Sequence, residues 1–287
     1  MIAVLTGKVI YRSPVNAFDE EYVISLCARR VIPDASVRAR FCREYKNAFE
    51  CISHDPNVRV VLLSSSLPRL FSSGIDLAYL PTISPAADDP ARRALLTRER
   101  IAELQHALAT PSRCPCPVLA AVHGSALGLA VDMLVYCDVV WAASDVKFGM
   151  REVVVGLAAG LGTLAYLPKV AGNAFLAREL VLTGRVFGAE VALRLGLVST
   201  VVEGSQAEVV EGLTKVACEI AANSPVAVVG TKHLFTYARD HSVEESLAYT
   251  TIWNAAMLQA PDLKDGVSAA VERTRGKYAP LGGRVKA

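Results

Sequence analysis

The sequence predicts an α/β fold, with a strand-bearing core over residues 1–204 and a helical region over 205–287. Three observations carry that reading. Short β-branched runs alternate with loops and apolar helices through the first half, the rhythm of parallel strands joined by crossovers. The runs are apolar on consecutive positions, as strands covered on both faces are. Beyond residue 205 only helix-like segments remain, punctuated by Asn223-Ser224-Pro225 and Ala260-Pro261-Asp262.

In chain order, 58–64 is a buried strand and 67–76, rich in Ser, Pro and Gly, is a loop. Residues 82–90, with Pro85, Pro90 and the pair Asp88-Asp89, read as a mobile surface segment. An amphipathic helix over 91–110 places Ile101, Leu104 and Leu108 on one face, and Pro111 ends it. Residues 117–122 form the next strand and 123–127 a tight connection. The helix over 128–136 carries Asp132 as its only charge, so it is packed on all sides. Residues 138–143 are a third strand, 189–195 a short helix stopped by Gly196, and 197–202 a last strand. Helices over 208–222, 225–239, 243–258 and 263–275 complete the chain, with Pro225 and Pro261 near helix starts. Neither an internal repeat nor a heptad run is present, so the tail reads as a packing or oligomerisation module.

Composition narrows the function classes. With 287 residues, 52% hydrophobic and 20% charged, the chain has ample material for a core and is not disordered. Thirty basic against 28 acidic residues leave a net charge of +2, which gives no electrostatic reason for a nucleic-acid partner. The seven cysteines are odd in number and scattered, which argues against a disulfide framework and for a reduced, intracellular protein. Cys114-Pro115-Cys116 lacks a second pair at finger spacing, so no metal site is expected. The longest uncharged run, 114–131, is broken by prolines and His123 and is too short for a membrane span. The N-terminus lacks the basic segment of a signal peptide, and the C-terminus is not of the Ser-Lys-Leu type. Mitochondrion, peroxisome-like organelle and cytosol all stay open.

Two acidic residues lie in apolar surroundings: Asp132 within residues 128–135 and Glu152 within 148–157. A carboxyl there is costly unless paired, and its pKa rises toward a range useful for proton transfer. The plainer alternatives are that Glu152 pairs with Arg151 and that Asp132 bonds buried backbone. After the first strand, Phe71-Ser72-Ser73-Gly74-Ile75-Asp76-Leu77 is either an ordinary turn or a place where backbone N–H groups face a ligand. His123-Gly124-Ser125-Ala126-Leu127-Gly128 joins a strand to a helix, whose first N–H groups are natural donors to a developing oxyanion. Ser125 lacks the spacing of a nucleophile elbow, and His123 reads as structural. Gly156, Gly160 and Gly162 have neither the lysine nor the acidic partner of a nucleotide loop.

Together these segments resemble the enoyl-CoA hydratase/isomerase (crotonase) family, over about residues 58–278. The oxyanion segments of that family are similar to residues 71–77 and to 121–132, the latter followed by Tyr136-Cys137-Asp138. Within the family the likeness is to the Δ3,5-Δ2,4-dienoyl-CoA isomerases, through residues 151–159, Gly162-Thr163-Leu164, 167–170, 224–228, 239–247, Trp253-Asn254 and 257–259. The resemblance implies a crotonase-like spiral of β-β-α units, C-terminal helices that build a homotrimer or a dimer of trimers, and an acyl-CoA thioester substrate. Coenzyme A is then part of the substrate, and no separate cofactor is implied. It also implies an oxyanion hole from the N–H groups of Ile75 and Leu129, with Ser73, Gly74, Asp76, Leu77 and Gly128 as substrate-binding positions. Asp132 and Glu152 fall on the acidic positions at the reacting carbons.

Two departures stand out. Leu129 occupies a usual glycine position, and Leu is less free in dihedral angles and narrows a pocket. Gly160 stands where the isomerases have a third acid, an Asp. Moving the double bonds removes a proton at C2 and delivers one at C6, so the C2 partner is left open, with Asp132 the first candidate. An Asp restored at Gly160 is expected to lie among Leu157, Ala158, Ala159 and Leu161, to have a raised pKa, and to strain the backbone. Isomerisation of 3,5- to 2,4-dienoyl-CoA in unsaturated fatty acid β-oxidation is the activity expected. An enoyl-CoA hydratase and a catalytically weak acyl-CoA-binding relative are the alternatives.

Overall fold

A computed structural model describes residues 2–5, 9–10, 23–28, 35–75, 77, 80–84, 86–87 and 89–282, with side chains from Phe41 on except Thr82. Asp76, Pro85 and Asp88 lie outside the described residues. The chain opens with β1 (Ile2–Leu5), β2 (Val9–Ile10), β3 (Val23–Ala28) and α1 (Ala35–Ser53). Strand β4 (Val60–Ser65) then leads into β5 (Leu70–Ser72), α2 (Leu80–Ile83), α3 (Pro90–Leu108) and α4 (Thr110–Arg113). Strand β6 (Val118–Val122) leads into β7 (Ser125–Leu127) and α5 (Leu129–Leu134). Strand β8 (Val139–Ala143) leads into β9 (Lys147–Gly149) and a single 3₁₀ turn over Glu152–Val155.

Each of these three passes puts one strand into a large sheet and the next into a small one. The seven-stranded sheet has the order β11-β8-β6-β4-β3-β1-β2 and the four-stranded sheet the order β10-β9-β7-β5. Neighbours are parallel except at β1/β2 and β9/β10. This stepping between two sheets is the expected spiral of β-β-α units.

The alternation of side chains explains why the large-sheet strands look uniformly apolar. Val61 and Leu63 of β4 face the main core with Val118, Ala120 and Val122 of β6. Val60, Leu62, Leu119 and Ala121 face the other way, onto Val209, Leu213, Ala217 and Ala221. Both faces are covered, as parallel sheets require. Each fully buried Val or Leu contributes roughly 1.5–3 kcal/mol relative to exposure.

The second half runs α6 (Thr163–Val170), α7 (Ala174–Thr183), β10 (Phe187–Gly188), α8 (Ala189–Leu195) and β11 (Thr200–Val202). It ends in α9 (Gln206–Ala221), α10 (Pro225–Ala238), α11 (Val243–Met257) and α12 (Pro261–Glu272). Gly196 ends α8 in the left-handed conformation, at φ 85°, as expected. Ser205 and Glu208 cap α9 reciprocally, and Ser224 caps α10 ahead of Pro225.

Several sequence expectations are corrected. The loop over 67–76 contains β5, and the connection over 123–127 contains β7. The segment 82–90 begins inside the short helix α2, and α3 starts at Pro90, where Asp89 accepts from the Arg92 N–H at 2.8 Å. Among the described residues no helix is long and apolar enough to cross a membrane.

Candidate active site

The ends of three adjacent small-sheet strands build the site. Registers pair Ser72 with Ala126 and Leu127 with Gly149, so the segments after β5, β7 and β9 emerge side by side. They bring together Ser73-Gly74-Ile75, Gly128-Leu129 and Glu152.

Gly74, at φ 87°, packs directly on the β7–α5 junction. A Cβ there would lie 2.6 Å from the Leu127 carbonyl oxygen and 3.4 Å from the Leu129 nitrogen. Only glycine fits this approach and this dihedral. Gly128 takes the next demanding conformation, at φ 53° and ψ −118°, with its N–H donating to the Gly149 carbonyl at 2.7 Å. The unusual dihedral therefore falls on Gly128, and Leu129 has an ordinary one; among the described non-glycine residues only Arg273 has a positive φ. The Leu129 side chain is in the main core, so it does not carry the cost its substitution for glycine suggested. As first residue of α5 its N–H has no intrahelical acceptor. Ile75 is half-buried against the core, Ser73 is exposed, and Leu77 is 59% exposed. Asp76, a predicted substrate-binding position, lies outside the described residues.

Glu152 opens the 3₁₀ turn, which Gly156 closes in the left-handed conformation. Its Oε1 lies 3.3 Å from where a Gly128 Cβ would be, so the carboxyl leans over the β7–α5 junction. Partial burial pushes the Glu152 carboxyl up from its ordinary pKa. Its own backbone N–H opposes the rise and the neighbouring Asp132 adds to it. Arg151 turns away, donating through Nη1 to the Gly184 carbonyl at 3.2 Å. The alternative of an Arg151–Glu152 ion pair is thus not what the side chains do.

Asp132 is 2% exposed on α5. Its Oδ1 accepts from the Thr163 N–H at 2.7 Å and from the Thr163 hydroxyl at 2.8 Å. Burial raises its pKa and the two Thr163 bonds oppose the rise. The alternative of Asp132 bonding buried backbone is therefore realised, beside an apolar position that favours its neutral form. A carboxyl with a raised folded-state pKa adds stability below its unfolded pKa and loses it as pH rises through the folded one. Asp132→Asn keeps an oxygen for Thr163 without a charge to bury. We expect the variant to melt above the wild type at neutral pH, and the gap to close as pH falls below the ordinary aspartate range. Thermal melts across pH check this; a variant that melts lower at neutral pH would mean that an ionised Asp132 is stabilised by its surroundings.

His123 is fully buried and its Nε2 meets the Leu67 carbonyl at 2.7 Å, a tie between the β5 and β7 segments. Two site contacts carry no signal in the sequence. One is Thr163 on Asp132, and the other is the Gln105 amide, which donates to the Gly160 carbonyl at 2.7 Å. Gly160 itself is exposed and has no left-handed φ, and a Cβ there would meet only the Ala158 carbonyl, at 3.7 Å. The expected apolar enclosure and backbone strain at this position are both corrected by that geometry.

The sequence profile described as "Enoyl-CoA hydratase/isomerase" matches residues 21–279. The chain belongs to the enoyl-CoA hydratase/isomerase family. Its similarity to known members of this family extends over most of both chains. It is 43% identical to the mitochondrial Delta(3,5)-Delta(2,4)-dienoyl-CoA isomerase of Homo sapiens, over 81% of this chain and 71% of that one. To the peroxisomal Delta(3,5)-Delta(2,4)-dienoyl-CoA isomerase of Arabidopsis thaliana it is 38% identical, over 84% and 87%. Its fold is shared with the enoyl-CoA hydratase of Bacillus anthracis, at a TM-score of 0.77, covering 90% of this chain and 95% of that one at 24% identity.

Proposed function

We propose that this enzyme isomerises 3,5-dienoyl-CoA thioesters to 2,4-dienoyl-CoA. The observation that carries the reading is the Glu152 carboxyl leaning over Gly128, where Gly74 meets the Leu129 nitrogen. A thioester carbonyl bound there receives the N–H groups of Ile75 and Leu129. Loss of a C2 proton then gives an enolate whose oxygen these donors stabilise, with dipoles already oriented before charge develops. The extended enolate is reprotonated at C6. Glu152 supplies one of the two proton transfers, and its raised pKa brings it nearer to an exchangeable state at neutral pH. Asp132 is the candidate for the other, at the cost of its Thr163 bonds. The similarity to dienoyl-CoA isomerases of two lineages supports the substrate class. The names of those relatives also favour an organelle of fatty acid oxidation as the setting.

Gly160 favours a second reading. Without an acid there, two carboxyls activating a water would make the chain a hydratase. Product mass separates the two: an isomer keeps the mass of 3,5-dienoyl-CoA, whereas hydration of 2-enoyl-CoA adds one water. An enzyme that only hydrates would overturn the isomerase reading, and binding without turnover of either would leave an acyl-CoA-binding protein.

The open surroundings of Gly160 make Gly160→Asp a gain-of-function test. The side chain has room, so folding is retained, and a third carboxylate is added at the position where the resembling isomerases have one. We expect faster 3,5-dienoyl-CoA isomerisation, within the 10²–10⁴-fold that general acid–base groups typically give. Unchanged isomerisation in the folded variant would mean that another group, Asp132 first, already serves C2.

The assembly belongs to the same proposal. Phe235, Val243, Leu247, Ile252 and Val271 of the last three helices are between 64% and 79% exposed. Apolar surface on this scale marks an interaction face. We expect a trimer or a dimer of trimers in sedimentation, with no disulfide needed. A stable monomer at micromolar concentration would contradict it.

A further inference from the structure

We propose that Cys114 and Cys116 are a reversible oxidation site, closing to an intrachain disulfide when the protein meets hydrogen peroxide. The pair sits where α4 turns into β6, with its sulfurs already in contact at 3.4 Å. Both residues are buried, at 2% exposure each. Around them the Lys232 ammonium is fixed from α10, donating to the Pro111 carbonyl at 2.8 Å and the Cys116 carbonyl at 3.0 Å. It also pairs with Asp138 at 2.7 Å, whose same oxygen accepts from the Val118 N–H. One buried cation thus ties α10 to the backbone on both sides of the dithiol.

The chemistry divides between the two sulfurs. Either sulfur can donate in this contact; with Cys116 as the donor and the Lys232 charge nearby, the Cys114 pKa comes down to about 7. The same contact and burial push Cys116 up. Cys114 is then the nucleophile and Cys116 the proton-bearing partner, because the thiolate is the reactive form. The Cys114 thiolate attacks one peroxide oxygen; the O–O bond breaks, a sulfenic acid forms and hydroxide leaves, taking up a proton as water. Cys116 gives up its proton and attacks the Cys114 sulfur, and the sulfenic oxygen leaves as a second water. Two thiols lose two electrons and two protons, and one peroxide becomes two waters. Cys116 borders a crevice with Arg59, Pro225 and Val228 that has no room for a water molecule, so peroxide reaches the pair on local opening of the structure.

Bond formation draws the sulfurs together and moves the Cys116 carbonyl that holds Lys232. Oxidation therefore loosens α10, the start of the exposed apolar face. This inference does not depend on which acyl-CoA the enzyme uses.

Reduced protein is treated with hydrogen peroxide, remaining thiols are alkylated after unfolding, and the tryptic peptide 114–147 is weighed. In the wild type we expect this peptide to lose two hydrogens and two of its three alkylatable thiols, with Cys137 still alkylated, and dithiothreitol to restore both. Cys116→Ser should instead yield a Cys114 sulfenic acid trapped by dimedone, and Cys114→Ser neither product. The oxidised wild type should melt below the reduced protein, with no such shift in Cys114→Ser. The proposal is overturned if both thiols of the wild-type pair stay alkylatable, or if oxidation falls only on the exposed Cys51. An intact disulfide with unchanged melting would overturn the coupling to α10. Fragmentation of the wild-type peptide, with the alkyl group found on Cys137, decides the site if either serine variant fails to fold.

Discussion

Glu152→Gln lowers dienoyl-CoA turnover by about 10²- to 10⁴-fold while acyl-CoA binding persists, the range that general acid–base groups contribute. Glutamine fills the same space over Gly128 and keeps one oxygen, but carries no proton to exchange at neutral pH. The backbone donors of Ile75 and Leu129 are untouched, so the thioester is still held. Binding of a non-reactive acyl-CoA, measured by calorimetry beside kcat, separates the two effects. Near-normal kcat in the variant would make Glu152 a structural residue.

Gly74→Ala should cost comparably through geometry alone. A methyl group at Gly74 meets the Leu127 carbonyl oxygen at 2.6 Å, and backbone cannot swing aside as a side-chain tip can. The φ of 87° adds strain for any residue with a Cβ. The turn over Ser73–Ile75 must therefore move off the β7–α5 junction, separating the Ile75 and Leu129 N–H groups. Loss of one oxyanion donor typically costs about 10²- to 10³-fold in kcat. Kinetics together with a thermal melt test this. A variant with wild-type kcat would place the oxyanion elsewhere.

Strands β4, β6 and β8 of the large sheet were legible because they are five or six residues long and apolar on consecutive positions, as in Val60–Ser65 and Val118–Val122, whereas β1, β2 and β3 were not read from the sequence. The small sheet was not. Leu70–Ser72, Ser125–Leu127 and Lys147–Gly149 are three residues each, too short for alternation to appear, and their glycines and serines look like turns. That sheet aligns the site, so its residues could be singled out as chemistry but not assembled from local pattern. Asp132 and Glu152 stood out as carboxyls among apolar neighbours, a signal that reports desolvation directly. Thr163 gave no such signal, because a hydroxyl in an ordinary helix start acquires its partner only through the tertiary fold. The burial that sequence context implied for Gly160 failed for a related reason: neighbours in sequence are not neighbours in space, and Leu157 is itself 43% exposed.

The central claim is that this chain moves double bonds. Purified enzyme mixed with 3,5-dienoyl-CoA and followed by ultraviolet absorbance tests it most directly. We predict growth of the conjugated 2,4-dienoyl thioester band, at a rate that collapses in Glu152→Gln. A flat trace from wild-type enzyme that binds the same thioester, with water added to 2-enoyl-CoA instead, would contradict it.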